Sequence, residues 1–259
     1  MNKESFNKVI VILYISMFWS CSSNSDLQAK EVQVSFNFSS SWRGVPVTNA
    51  DFNDLKYTNT YGTSLSLSKL RYLISNIRFT NTNGDIIHLP GYQLIDITEN
   101  KNLSLTPEQS LPTGKYTQVS FTFGFTNGDN YNKSYPDLNA ASWNVPEMLG
   151  GGYHFMQMEG KFLDDTNTEI SYAMHMIRAV DNNLTPMRFE DTFFTVNLGP
   201  MTISDNTTIY MDMNIAAWFD SPNTWNLNDL NNMMMPNFNA QLMLFENGQN
   251  VFHLNHITP

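Results

Sequence analysis

Strict alternation of apolar and other residues is the feature that most constrains the fold of this chain. The apolar residues of 32–38 are each separated by one polar residue, and the same period of two returns at 119–125 and 209–215. Successive side chains of a β-strand point to opposite faces, so this period is typical of a strand with one buried face. The sequence therefore predicts β-structure in which each sheet covers a core on one side.

Further segments with strand character are separated by clusters of Gly, Asn, Asp and Pro, which favour turns. They comprise residues 70–80, 86–89, 92–97, 154–162, 170–178, 193–198, 238–245 and 251–256. In 70–80 the alternation slips once, between Ile74 and Ile77, which predicts a β-bulge. The dipeptide Asn83-Gly84 predicts a hairpin turn. About ten strands without a convincing long helix predict an all-β fold, an antiparallel β-sandwich.

Two stretches lack the strand pattern and predict long loops. Residues 127–152 contain two prolines and three consecutive glycines, and residues 218–236 contain a segment, 229–235, that could form a short helix. Loops of this length are usually functional or disordered.

The N-terminus is typical of an export signal. Lys3 and Lys8 precede the apolar run 9–15, and Phe18-Trp19-Ser20-Cys21 resembles a bacterial lipobox with Phe18 in the usual Leu position. The apolar run is too short to span a bilayer. We predict a lipoprotein signal peptide at 1–20, a lipid on Cys21 and a tether at 21–30, followed by one domain at 31–259. Secretion with an unmodified thiol is the alternative.

Charge excludes nucleic acid as a partner. Removal of residues 1–20 takes away two Lys and one Glu, which leaves a net charge of −11. Binding to DNA or RNA requires clustered Lys and Arg that neutralise phosphates, and the chain has no such cluster. Because Cys21 is the only cysteine, the domain must be stabilised by its core rather than by disulfides.

Two histidines are the strongest candidates for binding a transition metal. His154 lies in a predicted strand together with Met156 and Met158, and His175 lies between Met174 and Met176. Imidazole and thioether groups together suit copper, because soft sulfur favours Cu(I). The alternative is that the methionines fill the core and the histidines are structural hydrogen-bonding groups.

The other three histidines are weaker candidates. His253 and His256 are three residues apart, so on a regular strand they would face opposite sides and could not bind one ion. His88 is expected to be a surface residue of a hairpin strand.

No sequence motif supports catalysis, and we expect the protein not to be an enzyme. The chain has no Gly-x-Ser-x-Gly elbow, no Walker loop and no His-Glu-x-x-His motif. A hydrolase would need a pair of carboxylates across one cleft. A second alternative is a glycan- or protein-binding sandwich, because Trp42, Trp218 and Trp225 lie in turn-rich stretches where their rings could stack on sugars.

Three segments together resemble the MbnP-like family of copper-binding proteins. They are residues 67–77 (LSKLRYLISNI), residues 111–121 (LPTGKYTQVSF) and residues 151–160 (GGYHFMQMEG). The resemblance extends in order over roughly residues 32–256. It implies a lipoprotein of the kind widespread in Bacteroidetes-type bacteria, located in the cell envelope at the outer membrane, on its periplasmic or surface side.

The resemblance also implies a site and a partner. A recurrent family histidine matches His175, and a tryptophan upstream of the Gly-Tyr segment matches Trp143. Family proteins are associated with dihaem proteins of the cytochrome c peroxidase class, and in the characterised member one tryptophan is oxidised to kynurenine. The commoner Trp-x-Trp form is replaced here by residues 143–146 (WNVP). Taken with the ligand chemistry of His154, the resemblance implies a copper carrier or scavenger that uses His154 and His175, with Trp143 or a methionine completing the site.

Overall fold

The computed structural model describes residues 30–259. The predicted signal peptide, Cys21 and all but the last residue of the predicted tether lie outside this range, so the lipid anchor stays a prediction.

The described residues form seventeen strands, three α-helices and two 3-10 helices. The strands are β1 (Glu31–Val32), β2 (Val34–Trp42), β3 (Val45–Pro46), β4 (Tyr57–Thr58), β5 (Ser64–Leu65), β6 (Lys69–Asn81), β7 (Ile86–Asp96), β8 (Ser104–Leu105), β9 (Leu111–Pro112), β10 (Gly114–Phe123), β11 (Met156–Leu163), β12 (Glu169–Met176), β13 (Ala179–Asp181), β14 (Arg188–Glu190), β15 (Phe194–Ile203), β16 (Thr207–Asn214) and β17 (Phe252–Thr258). The helices are α1 (Pro136–Ala140), α2 (Ala217–Asp220), α3 (Phe238–Gly248) and the 3-10 turns Asn49–Asp51 and Glu147–Leu149.

Two sheets form the sandwich, which confirms the predicted all-β class. The larger has eight strands, in the order β15-β10-β6-β11-β5-β4 with β7 beside β6 and β12 beside β11. The smaller has five strands, in the order β17-β16-β2-β3 with β8 beside β2. Pairing is antiparallel except between β2 and β16, which run parallel. These two strands are far apart in the chain, so no hairpin fixes their relative direction, and a period of two cannot reveal it.

The alternating residues of β2 supply the contact between the sheets. The ring of Phe36 packs edge-on against Phe79 of β6 at 6.3 Å between centroids, and that of Phe38 against Phe121 of β10 at 6.4 Å. All four side chains are buried. Aromatic pairs in this geometry stabilise a core beyond their buried area alone.

The predicted bulge and hairpin are both confirmed. The register of β6 against β7 shifts between Ser75 and Ile77, and Asn76 adopts a positive φ of 52° there. Asn83 and Gly84 form the turn between these strands. The bulge explains why the alternation slips within an otherwise continuous strand of thirteen residues.

The prediction of a strand at 238–245 is wrong, because this segment is the helix α3. The side chain of Asn237 caps the helix by accepting a hydrogen bond from the backbone N–H of Ala240 at 3.0 Å. The buried residues of α3 follow a helical spacing: Ala240, Gln241, Leu244, Asn247 and Gly248. The segment 229–235, for which a short helix was considered, forms turns instead. Within 30–259, no helix is both long and apolar enough to cross a membrane.

A site formed by two loops at the edge of the large sheet

The two long loops predicted from the sequence meet beside β12. The first runs from 127 to 152, and its last part pairs with the residues before β11 through an isolated bridge between Asn144 and Tyr153. The second, from 218 to 236, is held to β12 by a hydrogen bond of 2.7 Å from the N–H of Ala173 to the carbonyl of Asn231. These contacts bring residues far apart in sequence to one end of β12.

His154 lies just before β11 rather than within it. Its backbone N–H donates to the carbonyl of Trp143 at 3.0 Å. The approach of this segment requires Gly152, whose φ is 80° and whose added Cβ would collide with the side chain of Asn130. The predicted strand therefore starts two residues late, and His154 does not share a strand face with the methionines of β11.

The hydrogen bonds of the His154 ring fix its tautomer. Nδ1 lies 2.9 Å from the carbonyl oxygen of Trp143. A carbonyl can only accept, so Nδ1 carries the proton and donates it. In the neutral ring Nε2 then presents a lone pair, and it lies 3.2 Å from Sδ of Met235 in the second loop. A buried nitrogen lone pair thus faces a thioether sulfur, with no hydrogen between them.

His175 completes a group of three potential ligands. Its ring lies 5.3 Å from that of His154, centroid to centroid, at an interplanar angle of 84°. Its Nε2 is 2.8 Å from Oε1 of Glu159, and Nζ of Lys69 approaches the same oxygen at 2.8 Å. When His175 donates from Nε2 to this carboxylate, Nδ1 keeps the lone pair. A carboxylate behind an imidazole is the usual arrangement that orients a metal-binding histidine.

The spacing of His154 Nε2 and Met235 Sδ fits two ligands of one soft metal ion. Nitrogen and sulfur ligands bonded to one ion at about 2.0 and 2.3 Å stand roughly 3 to 4 Å apart, which is the spacing of His154 Nε2 and Met235 Sδ. Two imidazoles and a thioether suit copper, and the sulfur favours Cu(I). Within residues 30–259, no three His, Cys, Asp or Glu side chains are grouped as metal ligands. Met235 places a thioether sulfur beside the two imidazoles.

Trp143 lies against this group and orients it. Its side chain is fully buried, and its ring lies 5.6 Å from that of His154. Its indole N–H has no hydrogen-bond partner among the described residues, and the guanidinium of Arg71 stacks over the ring at 5.1 Å. An unmodified indole can only donate a hydrogen bond, so it has no lone pair for a metal. The contribution visible in the structure is the main-chain carbonyl that holds His154.

Gln241 of α3 supports this group, and sequence reasoning missed it. Its Nε2 donates to the carbonyls of His175 and Met234, at 2.9 and 3.0 Å, and its Oε1 accepts from the N–H of Ile177 at 2.8 Å. The side chain is fully buried, so each bond replaces lost contact with water. Gln241 thus ties the end of β12 to the residue before Met235. The only signal in the sequence is a polar residue at a buried helical position.

Four other methionines and His88 have different surroundings. The four methionines flanking the strand histidines, namely Met156, Met158, Met174 and Met176, are buried in the main core. Their environment is that of core filler, the alternative considered for them. His88 is exposed, with Nε2 2.8 Å from Oδ1 of Asn76.

The expectation that His253 and His256 face opposite sides is wrong. A register shift in the pairing of β17 with β16 places His253 opposite Asp212 and His256 opposite Tyr210. Since these two β16 residues are two positions apart, both histidines lie on one face. The ring of His256 stacks on Tyr210 at 4.2 Å, and His253 Nε2 lies 3.6 Å from Oδ2 of Asp212.

The tryptophans considered as sugar platforms are buried. Trp218 and Trp225 are fully buried, and Trp42 is 8% exposed. Their rings are therefore not available to stack on a glycan, which removes the observation that motivated a glycan-binding function.

Burial lowers the pKa of His154 from 6.5 to about 4, because the charged ring would lose its hydration; the bond to Trp143 opposes this shift. The folded state therefore holds the proton less tightly than the unfolded state. Above pH 6.5 the ring is neutral in both states, so the full stability is present. Between pH 6.5 and 4 the unfolded state takes up the proton first, so the free energy of unfolding falls by roughly 3 kcal/mol. Chemical denaturation of the metal-free protein across this range should show that loss, and the variant His154→Gln should not.

The same measurement has an internal control in Glu159. Its hydrogen bond with His175 lowers its pKa from 4.5 to about 2, with Lys69 adding to the shift. The stability this provides is lost only as pH falls from 4.5 to 2, and both proteins should lose it. Parallel profiles of the wild type and His154→Gln between pH 6.5 and 4.5 would contradict the buried neutral ring.

Comparisons with known proteins give one family. The family model MbnP matches residues 31–236. Among solved structures, MbnP from Methylosinus trichosporium aligns with 71% of this chain and 76% of its own chain, at 13% identity and a TM-score of 0.45. No curated protein matches the chain. The family match includes both histidines, Trp143 and Met235, whereas Gln241 lies beyond its end.

Proposed function

Because the chain belongs to the MbnP family, we propose that it binds copper through His154, His175 and Met235 and acts as a carrier or scavenger, not as a catalyst. One observation carries this proposal: the lone pair of a buried, neutral imidazole lies 3.2 Å from a thioether sulfur, with a second imidazole alongside. A hydrogen-bonded structural histidine would direct Nε2 toward a donor or water instead.

The donors favour Cu(I) over harder ions. Thioether sulfur binds Cu(I) well and Mg²⁺ or Ca²⁺ poorly, while imidazole binds either oxidation state of copper. Since His154 is neutral at physiological pH, no proton has to leave Nε2 before the metal binds. The carboxylate of Glu159 offsets part of the positive charge that a bound ion would bring.

Each residue around the site has a separate task in holding the ion. The carbonyl of Trp143 and the carboxylate of Glu159 orient the two rings, and Gln241 fixes the loop that carries the sulfur. Bound copper would be cargo: it would bind to nitrogen and sulfur and take part in no reaction. His154 is 4% exposed, so water has little access to that side of the site, which slows the release of copper.

We extend the proposal to the location of the protein. A lipid on Cys21 would anchor the sandwich in the cell envelope, at the outer membrane. A dihaem protein of the cytochrome c peroxidase class is the proposed partner. Intact-mass and peptide analysis of protein from its native host tests the anchor. We expect an acylated Cys21, and an unmodified Cys21 thiol would contradict the anchor.

A titration with Cu(I) and Cu(II), followed by the imidazole resonances of all five histidines, tests the function. We expect the signals of His154 and His175 to shift with one equivalent of Cu(I), while that of exposed His88 stays in place. Unmoved signals from both site histidines would refute copper binding at this position.

A further inference from the structure

Two highly exposed methionines flank the opening of the cavity that leads to the copper site. Met148 and Met233 are each 73% exposed. Met148 belongs to the 3-10 turn of the first long loop, and Met233 to the second long loop. Exposed apolar surface gathered around one opening indicates a binding site more strongly than scattered apolar side chains do.

The cavity between them has a volume of about 350 Å³ and is mostly apolar. Met148 and Leu149 line one side, Met233 and Met235 line the other, and His175 lies on its wall. Exposure falls steadily along this path, from Met148 and Met233 through the half-buried Met235 to His154, which is 4% exposed. The cavity therefore connects solvent with His175 and Met235, two of the proposed ligands, and several methionines line it.

The backbone at Met233 is held in an uncommon conformation. Its φ is 55°, in the left-handed region that residues with a Cβ seldom adopt. Such a conformation costs free energy and persists only where the surroundings impose it. The adjacent Met234 is buried, and its carbonyl accepts from Gln241, so the chain is held while Met233 projects outward.

We propose that Met148 and Met233 form a transient thioether site that captures Cu(I) and passes it along the cavity to Met235, His175 and His154. The final transfer rests on the proposed function, whereas capture at the mouth does not. Soft sulfur ligands select Cu(I) from harder cations. Two thioethers alone hold it weakly, which lets the ion move on to a site that adds two imidazoles. No change of oxidation state takes place.

The double variant Met148→Leu/Met233→Leu tests the transfer, because leucine keeps the apolar shape and removes sulfur. Cu(I) is supplied anaerobically from a weak chelator. We expect loading to slow severalfold, with an unchanged equilibrium affinity. Met187→Leu, at an exposed methionine outside this cavity, should load at the wild-type rate. An unchanged loading rate in the double variant would overturn the proposal, since it would show that the sulfur atoms of Met148 and Met233 do not contribute to loading.

A second measurement separates capture from the copper site itself. In the variant His154→Gln/His175→Gln, with methionine methyl groups labelled with carbon-13, Ag(I) serves as a Cu(I) probe. We expect the methyl signals of Met148 and Met233 to shift at millimolar Ag(I) or below, and that of Met187 to stay. If the methyl signals of Met148 and Met233 shift but the wild type does not bind Cu(I) tightly, the proposed function is refuted and the capture site is supported. Absent shifts would overturn the capture site even if the wild type binds Cu(I) tightly.

Discussion

The variant His154→Gln should bind Cu(I) at least about 100-fold more weakly than the wild type. Removing a residue that only orients a metal ligand costs up to about 100-fold in affinity, and removing the ligand itself should cost at least as much. Glutamine can still donate to the carbonyl of Trp143, which limits damage to the fold. It has no nitrogen lone pair to offer, and its amide oxygen is a hard ligand that Cu(I) disfavours. Anaerobic competition with a chromophoric Cu(I) chelator measures the affinity.

The matched control for this variant is His88→Gln, because His88 is exposed and bonded to Asn76 away from the site. The control should retain wild-type affinity. Equal affinities for the wild type and both variants would show that His154 is a structural histidine.

Replacement of Gly160 with alanine should lower the free energy of unfolding by about 3 kcal/mol. An added Cβ would overlap the carbonyl oxygen of Ser66 and would also meet the ring of Tyr172 at 2.8 Å. The Ser66 oxygen is backbone and accepts a hydrogen bond from the hydroxyl of Tyr172 at 3.0 Å, so it cannot move freely. Gly160 ends the Glu-Gly segment of β11, directly beside the residue that orients His175.

Gly114→Ala is the control for the clash. Gly114 also lies in a strand, and an added Cβ there would meet nothing within 4 Å. Its stability should stay within about 0.5 kcal/mol of the wild type. Denaturant unfolding of both variants gives the comparison. Similar stabilities for the two would mean that β11 and Ser66 lie farther apart than the structure has them.

The sheets were predictable because burial of one face imposes a period of two on the sequence. Residues 32–38 and 119–125 show that period, and β2 and β10 form there. The parallel pairing of β2 with β16 was not predictable, since either direction buries the same face. The helix α3 was missed because its apolar residues suit a strand as well, although the helical spacing of its buried residues and the cap at Asn237 were present in the sequence.

Ligand chemistry singled out His154 and His175, which the fold brings together, but which methionine lies beside them and the role of Gln241 could not be predicted. Met235 meets His154 across 81 residues, and Gln241 meets His175 across 66. Nothing local in the sequence distinguishes Met235 from Met233 or Met234 before the loop is folded. The bulge that turns His253 and His256 to one face likewise depends on pairing with β16.

X-ray absorption at the copper edge of the protein loaded with one equivalent of Cu(I) tests the central claim most directly. The geometry predicts two imidazole nitrogens at about 2.0 Å and one sulfur at roughly 2.3 Å, with the sulfur contribution lost in Met235→Leu and retained in Met187→Leu. A spectrum without sulfur in the wild type, or one unchanged by Met235→Leu, would contradict a copper site built from His154, His175 and Met235.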